Sequence, residues 1–308
     1  MLNNIIAVLN TTLRLATPLI FAALGGVFTE RSGVFNIALE GIMLIGAFTA
    51  MAFSYLFGNP WIGVLAAMGA GMLIAAIHAV ISIEFKANQV VSGTAINILA
   101  VGLTGFLLGT MFEHAGQSPS VNKVAVLPIP GIKEIPVLGD IIANHIPFVY
   151  LALLLVAVSY WVLWKTPFGL RIRAVGEHPA AADSVGINVK KTRYIAVILS
   201  GLLAGLGGAS LSVGLLGIFV KEMTAGRGFI ALAAMIFGKY TPQGALLAAL
   251  LFGFADSLQM LAQTIGIDFI PRQFLIMFPY VLTILALAGV IGSATPPAAG
   301  GEPYDQEE

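Results

Sequence analysis

WIGVLAAMGAGMLIAAIHAVISIEF, residues 61–85, decides what kind of protein this is. The run is apolar on every face, so no helical rotation offers water a polar side. At 1.5 Å per residue it reaches about 37 Å as a helix, enough to cross a hydrocarbon core of roughly 30 Å. A similar run spans 194–219. The whole chain agrees with these two windows. Of its 308 residues 58% are hydrophobic and 10% charged, and mean hydropathy is +0.95. A soluble domain carries about 25% charged residues because its surface must face water. The bilayer is therefore the solvent, and an all-α polytopic bundle is expected, because lipid leaves no other partner for backbone N–H and C=O groups.

Further apolar stretches lie near 13–28, 36–57, 89–112, 147–164, 228–238, 243–264 and 274–292. The stretch 228–238 is half a span, and 13–35 is interrupted by Arg14, Gly25-Gly26 and Glu30-Arg31. The expectation is about 8–10 transmembrane segments, some of them broken or half-helices, forming one domain over 1–292. The start, Met1-Leu2-Asn3-Asn4, lacks the basic region of a cleavable signal, so the first apolar stretch should persist. Residues 293–308, rich in Pro, Gly and acids, read as a disordered tail. The connection 114–145 is polar and proline-bearing. The connection 165–193 carries Lys165, Arg171, Arg173, Lys190, Lys191 and Arg193 against Glu177 and Asp183. That basic excess marks it as cytoplasmic, and counting four crossings over 194–292 puts the tail on the same side.

Net charge is zero and cysteine is absent. No basic field points to nucleic acid, and no thiolate metal site, disulfide or cysteine nucleophile is available. The four histidines at 78, 114, 145 and 178 have no ligand spacing. There is no Gly-x-x-x-x-Gly-Lys-Ser/Thr phosphate loop, no His-Glu-x-x-His and no Gly-x-Ser-x-Gly elbow. An enzyme is not expected, and no catalytic residue, metal or cofactor is assigned to this chain.

Polar groups at membrane depth are the informative ones, since each is costly unless it meets a partner or a wet path. Asn36 and Glu40 lie one turn apart after Glu30-Arg31-Ser32-Gly33. Asn88, Gln89, Ser92, Thr94 and Asn97 make the start of one span polar, and Asp256 and Gln259 share a face of another. Asn36, Glu40, Asn88, Asn97, Asp256 and Gln259 are the candidates for a polar path, with Phe35 and Phe229 as stacking faces for a base. Each also has a plainer reading as interhelical glue. Gly201-x-x-x-Gly205 and Gly105-x-x-x-Gly109 read as close helix contacts. Ile37-Ala38-Leu39 with Met43 is echoed by Ile230-Ala231-Leu232 with Met235, beside broken stretches, the arrangement transporters use around a central site. Few intramembrane acids weaken an ion-coupled secondary carrier as the alternative.

Within 165–193, His178-Pro179 offers a helix start and Gly186 a stop, so a short helix over Pro179–Val185 is expected. The string Arg173-Ala-Val-Gly-x-x-x-x-Ala-Ala-x-x-x-Gly-Ile187, with Ser200-Gly-Leu-Leu-Ala-Gly-Leu-Gly-Gly-Ala209, resembles the permeases of ABC importers for simple sugars and branched-chain amino acids. Glu30-Arg-Ser-Gly-Val-Phe-Asn-Ile-Ala-Leu-Glu-Gly41 and Arg227-Gly-Phe-Ile-Ala-Leu-Ala-Ala-Met-Ile-Phe-Gly238 resemble the nucleoside branch. The likeness covers about 13–290. One departure stands in the loop, where the Gly-Asn pair of sugar permeases is Glu177-His178.

The resemblance implies a multi-pass protein of the bacterial inner membrane that forms the path for nucleosides by alternating access, with a ribose-type sugar permease as the alternative. It implies a second permease, a cytoplasmic ATPase that uses the ATP and Mg, and an extracytoplasmic binding lipoprotein. It makes 165–193 the coupling loop, with Arg171, Arg173, Gly176, Glu177, Ala180, Ala181, Ala182 and Gly186 facing the ATPase.

Overall fold

The computed structural model describes residues 2–112, 116–131, 139–265 and 294–305, with single positions at 137, 277 and 281. Its helices are α1 (Leu2–Arg31), α2 (Leu39–Phe57), α3 (Pro60–Ala79), α4 (Gln89–Phe112), α5 (Pro147–Lys165), α6 (Pro167–Glu177), α7 (Pro179–Ser184), α8 (Val189–Ala209), α9 (Arg227–Phe237) and α10 (Pro242–Ile265). π-helical turns extend α3 through Val80–Glu84 and α8 through Ser210–Leu216. Among the described residues, α1 to α5, α8 and α10 are long and apolar enough to cross a membrane. The chain is a polytopic helical membrane protein. The stretch expected at 274–292 lies outside the described residues, apart from single positions.

Two expectations need correction. α1 runs unbroken from Leu2 to Arg31, where interruptions were expected at Arg14, Gly25-Gly26 and Glu30-Arg31. The glycines serve contact rather than breakage, for a Cβ at Gly25 would lie 2.9 Å from the Ser200 carbonyl and one at Gly26 2.9 Å from the Met235 sulfur. The tail expected to be disordered has residues 294–305 laid along the end of the bundle that carries 165–193, with the Ala299 N–H bonded to the Gly176 carbonyl at 2.9 Å. Its short Pro/Gly composition hides partners that only the fold supplies.

α8 is the axis. It packs against α1, α2 and α3, and three glycines set the approach. A Cβ at Gly201, Gly205 or Gly208 would collide with backbone of Gly71, Ala67 and Met43 respectively. Lipid tails are as apolar as leucine, so helix association here rests on this van der Waals closeness rather than on escape from water. The buried Phe21, Leu24, Leu39, Ile42, Met43, Leu206 and Phe219 fill the remaining interior. The other glycine pair behaves differently. A Cβ at Gly102 or Gly109 meets nothing within 4 Å, and one at Gly105 only the Lys221 Cε at 3.7 Å.

Among the described residues of 114–145 there is a short sheet. Leu127–Pro128 pairs antiparallel with Asn144–His145. Farther back, the Ser118 N–H bonds the Phe219 carbonyl, and the Val121 N–H the Gly217 carbonyl, each at 2.8 Å. This segment therefore runs beside the chain that leaves α8.

Candidate functional site

The site begins at the break between α1 and α2. Residues 32–38 are irregular backbone next to membrane-spanning helices, and such backbone persists only where protein groups satisfy it. Gln89 accepts the Phe35 N–H on its Oε1 at 2.6 Å. His78 Nε2 lies 2.9 Å from the Phe35 carbonyl and His78 Nδ1 2.9 Å from Ser92 Oγ. A carbonyl only accepts, so Nε2 carries the proton and Nδ1 receives the Ser92 hydroxyl. Asn97 donates to the Ile37 carbonyl at 3.0 Å and accepts the Gly41 N–H at 2.8 Å. Asn36 donates to Ser200 Oγ at 3.0 Å and is fully buried. Asn88 accepts from the Val90 and Val91 N–H groups and caps α4.

These contacts give three of the sequence candidates partners within the chain. Asn36, Asn88 and Asn97 are engaged within the chain, as brace and cap groups. Phe35 is half-buried and packs on Gly300 and Gly301 of the tail. Helical spacing shows which polar groups share a face and says nothing of what that face meets.

The second half of the site is re-entrant. After the π-turn of α8 the chain turns back into the bundle at Gly217. Phe219 meets Phe48, at the middle of α2, edge-on with centroids 5.2 Å apart. Seven residues later Gly226 reaches the first turn of α2. There the Glu40 carboxylate accepts two backbone N–H groups at the N-terminus of the half-helix α9, from Gly226 at 2.9 Å and from Gly228 at 2.6 Å. Charge-assisted bonds to the orphan donors of a helix start are among the stronger polar contacts. Gly228 makes them possible, because a Cβ there would collide with the Glu40 backbone. The echoed segments 37–43 and 230–235 thus belong to two broken elements that meet at one carboxylate.

Between Phe219 and the first turn of α9 lie three charges, of which the sequence reading singled out none as part of a path. Lys221 and Glu222 are exposed, and Arg227 is half-buried. Glu222 and Ala225 have φ of 57° and 47°, left-handed values that non-glycine residues adopt under constraint. Arg227 lies within electrostatic reach of Asp256, short of an ion pair. Phe229, 48% exposed, stands on the first turn of α9. Gln259 is half-buried one turn beyond Asp256 on α10. The signal available in the sequence was three charges within seven residues between two apolar runs. Lys221 Cε lies 3.7 Å from where a Gly105 Cβ would stand, and Lys221, Glu222 and Phe229 stay exposed among the described residues.

At the basic end, α6 and α7 form a hairpin. Thr166 Oγ1 accepts the Gly169 N–H at 3.2 Å and Pro167 opens α6, a helix that sequence reading took for loop. His178 Nδ1 accepts the Ala181 N–H at 3.3 Å and Pro179 opens α7. Gly186, at φ 83°, closes it with its N–H on the Asp183 carbonyl, close to the expected end. Arg171, Glu177, Ala180 and Ala181 are exposed, and Ala182 is buried against Val175 and Val189. The three alanines therefore do not form one docking face: Ala182 holds the helix down and the other two look out. Gly176 sits on the Arg31 carbonyl, where a Cβ would collide. Arg173 and Arg31 each place a guanidinium 5.5 Å from the ring centre of Trp164.

With this geometry in hand, comparison with known proteins is specific. The profile of a family described as branched-chain amino acid transport system / permease component matches residues 8–287. The chain is 50% identical over 301 residues to the guanosine ABC transporter permease protein NupQ of Bacillus subtilis (strain 168), covering 95% of this chain and 94% of that protein. It is 44% identical over 297 residues to the nucleoside ABC transporter permease protein NupC of Lactococcus lactis subsp. cremoris (strain MG1363), covering 94% and 93%. A second Bacillus subtilis protein, the guanosine ABC transporter permease protein NupP, is 28% identical over 249 residues, covering 79% and 70%.

Proposed function

The chain belongs to the family of branched-chain amino acid transport system permease components, and on that premise we propose that it is a membrane-spanning permease subunit of an ATP-driven nucleoside importer. One observation carries the placement of its path. Lys221 and Glu222 are exposed on a re-entrant segment between the level of Phe48 and that of Glu40. Ionisable groups at that depth face a bundle interior or water, not lipid. The face they share with Phe229 and α4 is therefore one wall of a wet path whose other wall is a second subunit.

Two Bacillus subtilis guanosine permeases resemble this chain to different degrees, which supports a heterodimer in which the second wall is a different permease. Phe229 offers a base an aromatic face, while Glu222 and Arg227 offer hydrogen-bonding groups for hydroxyls. The α6–α7 hairpin presents Ala180 and Ala181 to a cytoplasmic ATPase, and ATP and Mg belong to that partner. A binding protein outside the membrane delivers the nucleoside. ATP binding moves the hairpin, and the two permeases change between outward and inward openings, a rigid-body transition biased from a distance.

The test is radiolabelled guanosine uptake into proteoliposomes holding this chain, its partner permease, the ATPase and the binding protein. Uptake should require ATP, compete with unlabelled nucleosides and ignore ribose. Lys221→Leu with Glu222→Leu should cut uptake at least tenfold while the complex still assembles, since both polar groups of the wall are lost. Uptake driven by an ion gradient without ATP would overturn the reading, and ribose competition would move the substrate class to sugars.

A further inference from the structure

α7 is six residues long, too short to be stable alone in water. Yet in the proposed importer it is the element that a partner pushes. What holds it comes partly from the far end of the chain. Tyr304 packs against the cluster of Val175, Ala182 and Val189 beneath α7, and its hydroxyl donates to the Asp183 carboxylate at 2.8 Å. On either side of that ring the tail is tied to other elements. The Ala298 N–H bonds the Glu177 carboxylate at 3.3 Å, the Ala299 N–H the Gly176 carbonyl at 2.9 Å, and the Gly301 N–H the Gly33 carbonyl at 3.0 Å. Arg193, on the first turns of α8 and 2% exposed, donates Nη1 to the Glu302 carbonyl at 3.0 Å, while its Nε and Nη2 have no partner among the described residues. Asp305 pairs with Lys86 in the connection between α3 and α4.

Residues 298–305 thus touch α6, α7, the break after α1, the start of α8 and the α3–α4 connection. The hydrogen bond and ring contact of Tyr304 lie on the Ala182–Asp183 side of α7, and Tyr304 and Asp305 border a shallow cleft with Ala180 and Ser184. The outer side of α7, Ala180, Ala181 and Val185, stays exposed. A segment that blocked docking would cover those residues instead.

We propose that residues 298–305 are a strap that makes the α6–α7 hairpin move as one body with the membrane core, with Tyr304 as its positioning residue. The inference rests on the reading of α7 as the ATPase-facing helix. Without the strap, a push on α7 bends the hairpin against α1 and α8 and is lost before it reaches the break at 32–38. Among the described residues the strap gives the buried Arg193 cation its hydrogen bond, so detaching it removes that partner from a buried charge.

The experiment measures ATP hydrolysis and guanosine uptake side by side in the full reconstituted complex. It compares the parent with Tyr304→Ala, Tyr304→Phe and a chain ending at Pro297. Tyr304→Ala and the truncation should keep co-purifying ATPase and hydrolysis but lower nucleoside moved per ATP by about tenfold, with Tyr304→Phe between, since it keeps the ring and loses one charge-accepted bond. A Lys86→Cys, Asp305→Cys pair, clean in a chain without cysteine, is then joined by a short bismaleimide. Joined, it should transport at the parent ratio. An unchanged ratio in all variants overturns the strap. So does a rise in uptake on truncation, or loss of uptake on joining, either of which would make the tail a brake. If the parent itself needs no ATP, the importer reading fails, and that result is separate from the behaviour of the variants.

Discussion

The two Gly-x-x-x-Gly pairs of this chain have opposite fates. Gly201 and Gly205 on α8 are sealed against α3, with backbone where any side chain would go, whereas Gly105 and Gly109 on α4 face open space. The sealed half, built from α1, α2, α3 and α8, supplies most of the largest fully buried side chains, among them Phe21, Leu24, Leu39 and Met43. The open half carries α4, the re-entrant 217–226 and the half-helix α9, with exposed Lys221, Glu222 and Phe229. The same small residues close one interface inside the subunit and leave the other open among the described residues, the face that meets the second permease in the proposed importer. A permease that must rock against a second subunit needs both: one face that cannot move internally, and one whose contacts are made and remade.

That contrast can be broken directly. Gly205→Leu should abolish a folded, monodisperse chain in detergent, because the clash is with the Ala67 backbone and costs on the order of 4 kcal/mol or more. If Gly205→Leu melts like the parent, the sealed half is not sealed.

Glu40 joins the halves, since its carboxylate on α2 holds the start of α9. Glu40→Ala should lose about 3 kcal/mol, from two charge-assisted bonds and two buried donors left bare. Protease cleavage between 217 and 227 would show the re-entrant segment released. Glu40→Gln, which keeps one acceptor oxygen, should recover part of the loss, whereas equal behaviour of the two variants would make charge the whole effect.

The smallest change in stability belongs to α4. Gly105→Leu should leave the melting of the isolated chain within about 0.5 kcal/mol, as for a surface substitution, while reducing recovery of the partner permease and uptake together. A substitution as damaging as Gly205→Leu would mean that α4 is not an open face.

Most of the span limits were legible because apolar runs of this length have one solution in lipid. α4 and α5 coincide with expected stretches almost to the residue. The α7 helix was legible for a local reason, a Pro at its start and a Gly at its stop. What stayed hidden was partnership. Gln89, Asn97 and His78 sit at polar positions that periodicity marks, but their partners, the backbone groups of Phe35, Ile37 and Gly41, belong to a break far away in sequence. The tail's contacts were hidden for the same reason, because its anchors, the Gly176 and Gly33 carbonyls and the Glu177, Asp183, Arg193 and Lys86 side chains, lie on other elements. Lys221 and Glu222 were passed over because charge between two apolar runs is also what an ordinary loop looks like. Only the fold shows that this loop dips inward.

Trp164 has a consequence for measurement. Its indole lies under two guanidinium groups, Arg31 at the end of α1 and Arg173 on α6, so three elements meet at one chromophore. Indole emission responds to nearby charge, and the chain has only two other tryptophans, Trp61 and Trp161. With those two changed to Phe, the protein carries its own optical gauge at the joint between hairpin and bundle. The colour of its fluorescence would track the transport cycle in real time, with no label attached.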